Sequence, residues 1–186
     1  MSLIKKWSLI STEDVSPSSW INVYKHKVEL PDKTIIDDYF VTDFGSVSMV
    51  LPFTIENKIV LVKQYKHGLG QIVIELPAGQ QKKTSAEETA IEELEEETGI
   101  KTTIDNLISL GMVCNNPTKT NHITQGFLAL NLKFNSAPSL DVTEQIEVLQ
   151  LYPKDVIKMV FSGEIWVADS VAFIMKAYII YPNLFK

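Results

Sequence analysis

One helix with clear start and stop signals lies between residues 85 and 98, with strand-forming runs on both sides of it. Ser85 followed three residues later by Glu88 forms a capping box, and Gly99 stands where a helix end favours a left-handed residue. Strands before and after a single helix, with two more helical segments at the end of the chain, predict an α+β sandwich and not a doubly wound sheet.

The predicted strands are short runs of β-branched and aromatic residues separated by turn residues. They cover residues 20–30, 34–42, 47–55, 58–65, 72–76, 107–114, 122–132 and 146–151. Residues 153–161 and 168–181 form the two closing helices. The strands before about residue 45 are predicted to form an appended β arm, which divides the chain into residues 1–45 and 46–186.

The composition excludes several classes of function. All 17 basic residues are lysine, so no guanidinium group can clamp a phosphate or a carboxylate with two parallel hydrogen bonds. The net charge of -6 argues against nucleic-acid binding, which needs a basic surface. The single cysteine, Cys114, excludes an intrachain disulfide, and no apolar run is long enough to span a membrane. We therefore expect a cytoplasmic protein that binds neither nucleic acid nor membranes.

Seven of the glutamates lie between residues 87 and 97. On a helical wheel six of these seven, all but Glu87 in the first turn, separate into two groups beside an apolar stripe. The apolar stripe contains Ala86, Ala90, Ile91 and Leu94, the solvent group contains Glu88, Glu92 and Glu95, and the group flanking the stripe contains Glu93, Glu96 and Glu97. A solvated acidic face is the ordinary interpretation of such a run.

The position of the flanking group favours a bound cation instead. Its members lie toward the C-terminal end of the helix, where the helix dipole disfavours carboxylates, and Glu93 and Glu97 repel each other as an i, i+4 pair. No lysine lies between Thr84 and Ile100 to compensate. Oxygen ligands suit Mg²⁺ or Mn²⁺ better than zinc, so the pattern predicts a site for one of these cations.

Residues 79–100, GQQKKTSAEETAIEELEEETGI, resemble the Nudix box G-x5-E-x7-R-E-U-x-E-E-x-G-U, in which U is aliphatic. Residues 93–99 supply the E-U-x-E-E-x-G part. ELPAG at residues 75–79 and VKQYK at residues 62–66 resemble segments of the ADP-ribose pyrophosphatase group of this family. SGEI at residues 162–165, followed by a helix, also fits, so the resemblance covers nearly the whole chain.

The resemblance implies a Nudix α/β/α sandwich with a mixed central sheet and an N-terminal antiparallel β arm that joins two chains in a homodimer. It also implies hydrolysis of a nucleoside diphosphate linked to another group, with two or three Mg²⁺ or Mn²⁺ ions in the presence of substrate. The implied metal ligands are Glu93, Glu96, Glu97 and the carbonyl oxygen of Ala78.

The resemblance further implies the residues that bind substrate and take up a proton. The substrate contacts are Lys63, Lys66, Glu75 and Pro117. Glu144, in the loop of residues 135–145, is the first candidate for the catalytic base, ahead of Glu147 and Asp141. Each position also has an ordinary interpretation: exposed strand lysines, a solvated loop glutamate, and a common loop proline. His122 is interpreted as a half-buried residue that begins a strand, in preference to a phosphate or metal contact.

The box departs from the family pattern in two places. Glu92 replaces the arginine, and the loop is one residue short, so that Thr84 or Ser85 stands where the early glutamate belongs. We expect hydrolysis of ADP-ribose or a related nucleoside diphosphate sugar to a nucleoside monophosphate and a sugar phosphate. Two alternatives stay open: a weakly active or inactive protein that binds nucleotide sugars, and an interaction module whose acidic helix contacts a basic partner.

Overall fold

The structure is a computed structural model that describes residues 4–82 and 85–186. The described chain falls into two compact units. The first comprises the residues up to Gly45 together with Cys114–Ile123, and the second comprises Ser46–Val113 together with Thr124–Lys186. None of the helices in the described ranges is long and apolar enough to cross a membrane.

The first unit contains a three-stranded antiparallel sheet of β1 (Ser8–Asp14), β2 (Asn22–Glu29) and β3 (Ile35–Asp43), in that order. The predicted turn between β2 and β3 is present, with Lys33 at a φ of 73° and Asp32 accepting a hydrogen bond from the backbone N–H of Thr34. The sequence did not predict β1. Its residues are mostly polar and all exposed, so they carry no alternating apolar pattern.

The second unit contains a seven-stranded mixed sheet. Its strands are β4 (Ser46–Thr54), β5 (Ile59–Lys66), β6 (Gln71–Glu75), β7 (Ala78–Gln80), β8 (Leu107–Cys114), β9 (Ile123–Leu132) and β10 (Ile146–Leu151). The main order is β10-β5-β4-β9-β8, with β6 paired to β5 and β7 paired to β4. β7 was not predicted because it is three residues long and follows directly after a proline.

Three helices cover the two faces of this sheet: α1 (Ala86–Thr98), α2 (Pro153–Ser162) and α3 (Ala168–Ile180). β4 is buried along most of its length, and its alternate residues reach opposite sides. Leu51 and Phe53 pack in the cluster that contains α2 and α3, whereas Val50 packs with Ala90 and Leu94 of α1. The predicted α+β sandwich with helices on both faces is confirmed.

Candidate active site

The helix α1 begins and ends where its capping signals predict. The Ser85 hydroxyl accepts a hydrogen bond of 3.1 Å from the backbone N–H of Glu88, and Gly99 adopts a φ of 74° while its N–H donates to the Glu95 carbonyl oxygen. Ala90 and Leu94 are fully buried, which fixes the rotation of the helix about its axis. The glutamates of the last two turns are thereby presented in fixed directions.

Glu97 is the buried member of the predicted metal group, with 3% of its surface exposed. Its Oε2 accepts a hydrogen bond of 2.9 Å from the backbone N–H of Ala78, and its Oε1 lies 3.5 Å from Nε2 of Gln64. Burial raises the pKa of Glu97 to about 8, although the hydrogen bond from Ala78 acts in the opposite direction. The charge on Glu93 raises this pKa further.

Glu93 is half-buried beside the backbone that follows β6. Burial raises its pKa to about 7, with a smaller contribution from the charge on Glu96, while Lys82 acts to lower it. A Cβ atom on Gly79 would lie only 2.0 Å from Cδ of Glu93, so only glycine leaves room for the Glu93 carboxyl group there. The closeness of the two carboxyl groups to the Ala78–Gly79 backbone fits the predicted grouping of these residues.

The remaining glutamates of α1 only partly follow the helical wheel. Glu96 is exposed, and its pKa is raised first by partial loss of water around its carboxyl group and then by the charge on Glu92. Glu95 is half-buried where solvent exposure was predicted, because Ser136 donates to its Oε1 at 3.1 Å and Lys101 Nζ lies 3.4 Å away. A helical wheel predicts the direction of each side chain, but it cannot predict that the loop containing Ser136 packs against Glu95.

Glu75 and Lys66, the last residues of β6 and β5, form an ion pair along the β5–β6 hairpin. Lys66 Nζ lies 3.0 Å from Oε1 of Glu75, and Nε2 of Gln64 donates to the same oxygen at 3.0 Å. Glu75 and Gln64 are buried. Sequence reasoning missed Gln64, although its spacing of two residues from Lys66 puts both on one face of β5. Through Gln64 this pair is connected to Glu97.

Lys63 lies on the opposite face of β5 from Lys66. Its Nζ pairs with Oε2 of Glu147 on β10 at 2.9 Å, directly across the strand pair. The structure therefore does not bring Lys63 together with the carboxylates of α1. It places Lys63 instead in a cleft of about 480 Å³, a volume within the range of small-molecule sites. Residues that line the cleft include Lys63, Gln64, Tyr65, Ile72, Leu140 and Glu147.

The loop that carries Glu144 is attached to the C-terminal end of α1. The Gly99 carbonyl oxygen accepts hydrogen bonds from the backbone N–H groups of Asn135 and Ser136, and the Glu96 carbonyl oxygen accepts one from Ser139. A Cβ atom on Gly99 would lie 2.6 Å from the Ser136 carbonyl oxygen, so glycine permits this close approach as well as the positive φ. The attachment satisfies carbonyl groups that a helix end leaves without partners.

Glu144 lies in a tight turn further along this loop. Its Oε2 accepts a hydrogen bond of 3.0 Å from the backbone N–H of Asp141, and its own N–H donates to the Asp141 carbonyl oxygen. Its negative charge is among the causes that raise the pKa of Glu93 and Glu96. Glu144 is therefore near enough to these two carboxyl groups to interact with them electrostatically.

Pro117 and His122 belong to the first unit. Pro117 lies in a turn after β8, in which Asn116 has a φ of 49° and its carbonyl oxygen accepts from the N–H of Lys119. Nδ1 of His122 lies 3.1 Å from the Gly45 carbonyl oxygen, and the ring is half-buried, which fits the structural interpretation of this residue. The substrate role of Pro117 stays a prediction.

The donor set around the end of α1 suits a hard divalent cation. Glu93, Glu97, Glu96 and the Ala78 carbonyl group offer only oxygen, the ligand type that Mg²⁺ and Mn²⁺ prefer. Within residues 4–82 and 85–186, no three His, Cys, Asp or Glu side chains are already gathered as a metal site. Repulsion between the carboxylates opposes such a cluster without a cation. In addition, the Glu97 carboxylate accepts a hydrogen bond from the Ala78 N–H. The residues fit the cation by their chemistry and by the space that Gly79 leaves for Glu93.

Comparisons with known proteins give a consistent result. Residues 44–166 match the NUDIX domain family, and residues 7–42 match the nucleoside diphosphate sugar hydrolase N-terminal domain. The chain is 34% identical over 163 residues to the ADP-ribose pyrophosphatase of Bacillus subtilis (strain 168), which covers 87% of this chain and 86% of that protein. It is 32% identical over 144 residues to the methanol dehydrogenase activator of Bacillus methanolicus, with 76% of each covered.

Among solved structures, the crystal structure of an ADP compounds hydrolase matches with a TM-score of 0.84 and covers 98% of both chains. Its sequence identity of 16% makes this a likeness of fold alone. The NUDIX match contains α1, the preceding loop and Glu144, so it covers the second unit's candidate site. The chain therefore belongs to the Nudix family and is a hydrolase of nucleoside diphosphate compounds.

Proposed function

We propose that this enzyme hydrolyses the pyrophosphate bond of ADP-ribose, or of a related nucleoside diphosphate sugar, with Mg²⁺ or Mn²⁺ as cofactor. The observation that carries the proposal is the pair of half-buried and buried carboxyl groups, Glu93 and Glu97, with pKa values raised to about 7 and 8 beside the Ala78 backbone. The ADP-ribose pyrophosphatase relative supports this choice of substrate.

Glu93, Glu96, Glu97 and the Ala78 carbonyl oxygen would hold the metal, with two to three ions present together with substrate. Bound divalent cations offset the negative charge of these carboxylates, polarise phosphoryl oxygens and lower the pKa of a water molecule. Protein side chains must also bind the substrate. Its pyrophosphate is negatively charged and has to bind beside an acidic helix.

Lys66 supplies positive charge on the face of β5 that carries Gln64, and Glu75 holds its ammonium group at 3.0 Å. Lys63 supplies charge in the cleft on the other face. Because lysine is a point charge with rotatable donors, these contacts select less strictly for phosphate geometry than a guanidinium fork would. We expect tolerance toward several nucleoside diphosphate sugars.

Glu144 is proposed as the general base. It takes a proton from the attacking water as the water oxygen forms a bond to phosphorus and the bond from that phosphorus to the bridging oxygen breaks. The bridging oxygen leaves with the other phosphate. ADP-ribose then gives AMP and ribose 5-phosphate, and each product carries one phosphate group. In the structure the Oε2 atom of Glu144 accepts a hydrogen bond of 3.0 Å from the Asp141 N–H.

Residues 1–45 are proposed to form the arm that joins two chains in a homodimer, and residues 46–186 the hydrolase domain. The support is the match of residues 7–42 to an N-terminal domain of nucleoside diphosphate sugar hydrolases. The exposed thiol of Cys114 fits the reducing cytoplasm, where we place the enzyme. Pro117 is proposed as a substrate contact on the resemblance alone.

Phosphorus NMR of the protein with ADP-ribose and Mg²⁺ tests the proposal directly. The expected result is replacement of the pyrophosphate signals by two phosphomonoester signals, those of AMP and ribose 5-phosphate. A panel of nucleoside diphosphate sugars should rank ADP-ribose near the top. If a high protein concentration turned over no member of the panel but ligands raised the Tm, the protein would be a nucleotide-sugar binding protein instead.

A further inference from the structure

We propose that Gln64 is a positioning residue that holds Glu97 in the orientation needed for metal binding. This inference rests on the proposed function, since it concerns one of the proposed metal ligands. Gln64 lies on β5, outside the glutamate helix, and its side chain is buried. Its carboxamide connects two carboxylates that come from two other elements.

The geometry of the connection is direct. Nε2 of Gln64 donates to Oε1 of Glu75 at 3.0 Å and lies 3.5 Å from Oε1 of Glu97. Each oxygen of the Glu97 carboxylate therefore has its own donor: Nε2 of Gln64 at Oε1 and the backbone N–H of Ala78 at Oε2. Two donors from different segments restrict the rotation of the carboxylate about its terminal torsion, which is otherwise broad.

The amide is the side-chain type that this position requires. Glu75 and Glu97 are both buried, and a group between two carboxylates must donate hydrogen bonds without adding negative charge. The two N–H bonds of a glutamine amide meet this requirement. Lys66 Nζ lies 3.0 Å from the same Glu75 oxygen that accepts from Gln64, so the carboxylate that holds the amide is itself paired. The order of contacts is Lys66, Glu75, Gln64, Glu97.

The sequence of α1 explains why support from β5 matters here. The box position before Glu93 holds Glu92, a carboxylate, and the chain contains no arginine at all. A positive side chain on the helix therefore cannot orient the glutamates from that position. Gln64 instead contacts Glu97 from strand β5, and this contact orients the carboxylate in place of a positive side chain on the helix. Metal ligands commonly depend on such outer partners for their orientation.

The test is the affinity of the intact protein for Mn²⁺ alone, measured by electron paramagnetic resonance of unbound Mn²⁺. Gln64→Met keeps the length and much of the volume of the side chain but removes both donors. We expect its Kd for Mn²⁺ to rise by about 10- to 100-fold, the range typical for loss of an outer partner. The matched control is Gln150→Met, an exposed position on β10, which should bind Mn²⁺ like the wild-type protein.

Separate measurement of kcat and KM provides a second readout. Loss of positioning should lower kcat with Mn²⁺ at saturation while KM changes little, whereas a merely structural role would lower the Tm and leave kcat and Mn²⁺ affinity unchanged. If Gln64→Met does not fold, Glu75→Gln removes the charge that anchors Gln64 without changing volume, and it should weaken Mn²⁺ binding in the same direction.

The outcomes separate the two proposals. If wild-type and Gln150→Met proteins bind Mn²⁺ and folded Gln64→Met binds it equally well, the positioning role is overturned while the metal site stands. Equal binding by folded Glu75→Gln overturns the role in the same way when Gln64→Met is unfolded. If the wild-type protein binds no Mn²⁺, the metal site and the positioning role both fall.

Discussion

The Glu97 carboxylate and the backbone N–H of Ala78 are joined by a hydrogen bond of 2.9 Å, which connects the last turn of α1 to the first residue of β7. This bond favours the charged form of Glu97, whereas burial favours the neutral form. Burial is the larger effect, because the pKa of Glu97 is raised to about 8. A buried acid with a pKa raised in this way favours its protonated form near neutral pH in the metal-free protein.

The stability of the metal-free protein should therefore fall as the pH rises. The pKa values of Glu93 and Glu97 are raised from 4.5 to about 7 and about 8, so the folded state binds more protons than the unfolded state in this window. Their contribution is fully present below about pH 4.5 and is lost as the pH passes 7 to 8. Tm values measured in EDTA from pH 5.5 to 8.5 test this.

Glu97→Gln is the control for that measurement, because glutamine cannot lose a proton and should flatten the decline in Tm. Added Mg²⁺ should raise the Tm of the wild-type protein more at pH 8 than at pH 6, since fewer protons then compete for the ligands. A Tm difference between wild-type and Glu97→Gln proteins that did not vary with pH would contradict the assignment.

The activity of Glu97→Gln should fall further than that of Glu96→Gln. Glu97 is buried and fixed by Ala78, whereas Glu96 is exposed and can be replaced by water more easily. We expect kcat to fall by more than about 100-fold for Glu97→Gln, beyond the usual cost of an outer partner, and by less for Glu96→Gln. Release of AMP from ADP-ribose at saturating Mg²⁺ measures both. The opposite order would mean that the metal lies nearer the exposed end of the group.

The helix α1 and the central strands could be predicted because their signals are local. Ser85, Glu88 and Gly99 define the helix ends through neighbouring backbone groups, and β8 and β10 have the predicted bounds. β1 and β7 could not be predicted in this way. β1 is exposed along its whole length, and β7 is held by pairing with β4, about 30 residues earlier in the chain.

In the candidate site, too, the residues with local sequence signals could be predicted and those that depend on distant partners could not. The helical wheel groups Glu93 with Glu97 because both lie on one helix, and ELPAG places the neighbouring backbone by resemblance. Gln64 has no local signal of its function, since its partners Glu75 and Glu97 are 11 and 33 residues away. The half-burial of Glu95 likewise depends on Ser136, which a wheel of α1 cannot contain.

Gly79→Ala should damage the site while the fold is retained. The added Cβ atom would lie 2.0 Å from Cδ of Glu93 and would displace that carboxyl group from the backbone. A misplacement of about 1 Å can cost about 100-fold in rate, so displacement of the Glu93 carboxyl group should lower both kcat and Mn²⁺ affinity. Gly68→Ala is the matched control, because no atom lies within 4 Å of its added Cβ. Wild-type Mn²⁺ affinity in Gly79→Ala would show that Glu93 is not a ligand.

The role of Glu144 as the base can be separated from metal binding. Glu144→Gln keeps the shape of the side chain and its ability to accept from the Asp141 N–H, but it cannot take a proton. We expect kcat to fall by about 10²- to 10⁴-fold, the usual contribution of a general base. Mn²⁺ affinity should change only slightly, because Glu144 is not a proposed ligand and its charge is a minor influence on the pKa values of Glu93 and Glu96.

The pH dependence of kcat completes this argument. If Glu144 is the base, then at saturating Mg²⁺ the acid side of the wild-type profile should be lost in Glu144→Gln, since the group that must be deprotonated to accept the proton is absent. Glu164→Gln, an exposed glutamate after α2, provides the matched control and should keep the wild-type profile. A Glu144→Gln enzyme with normal kcat and an unchanged acid side would transfer the role to Glu147 or Asp141. The same two measurements on Glu147→Gln and Asp141→Asn would then identify the base.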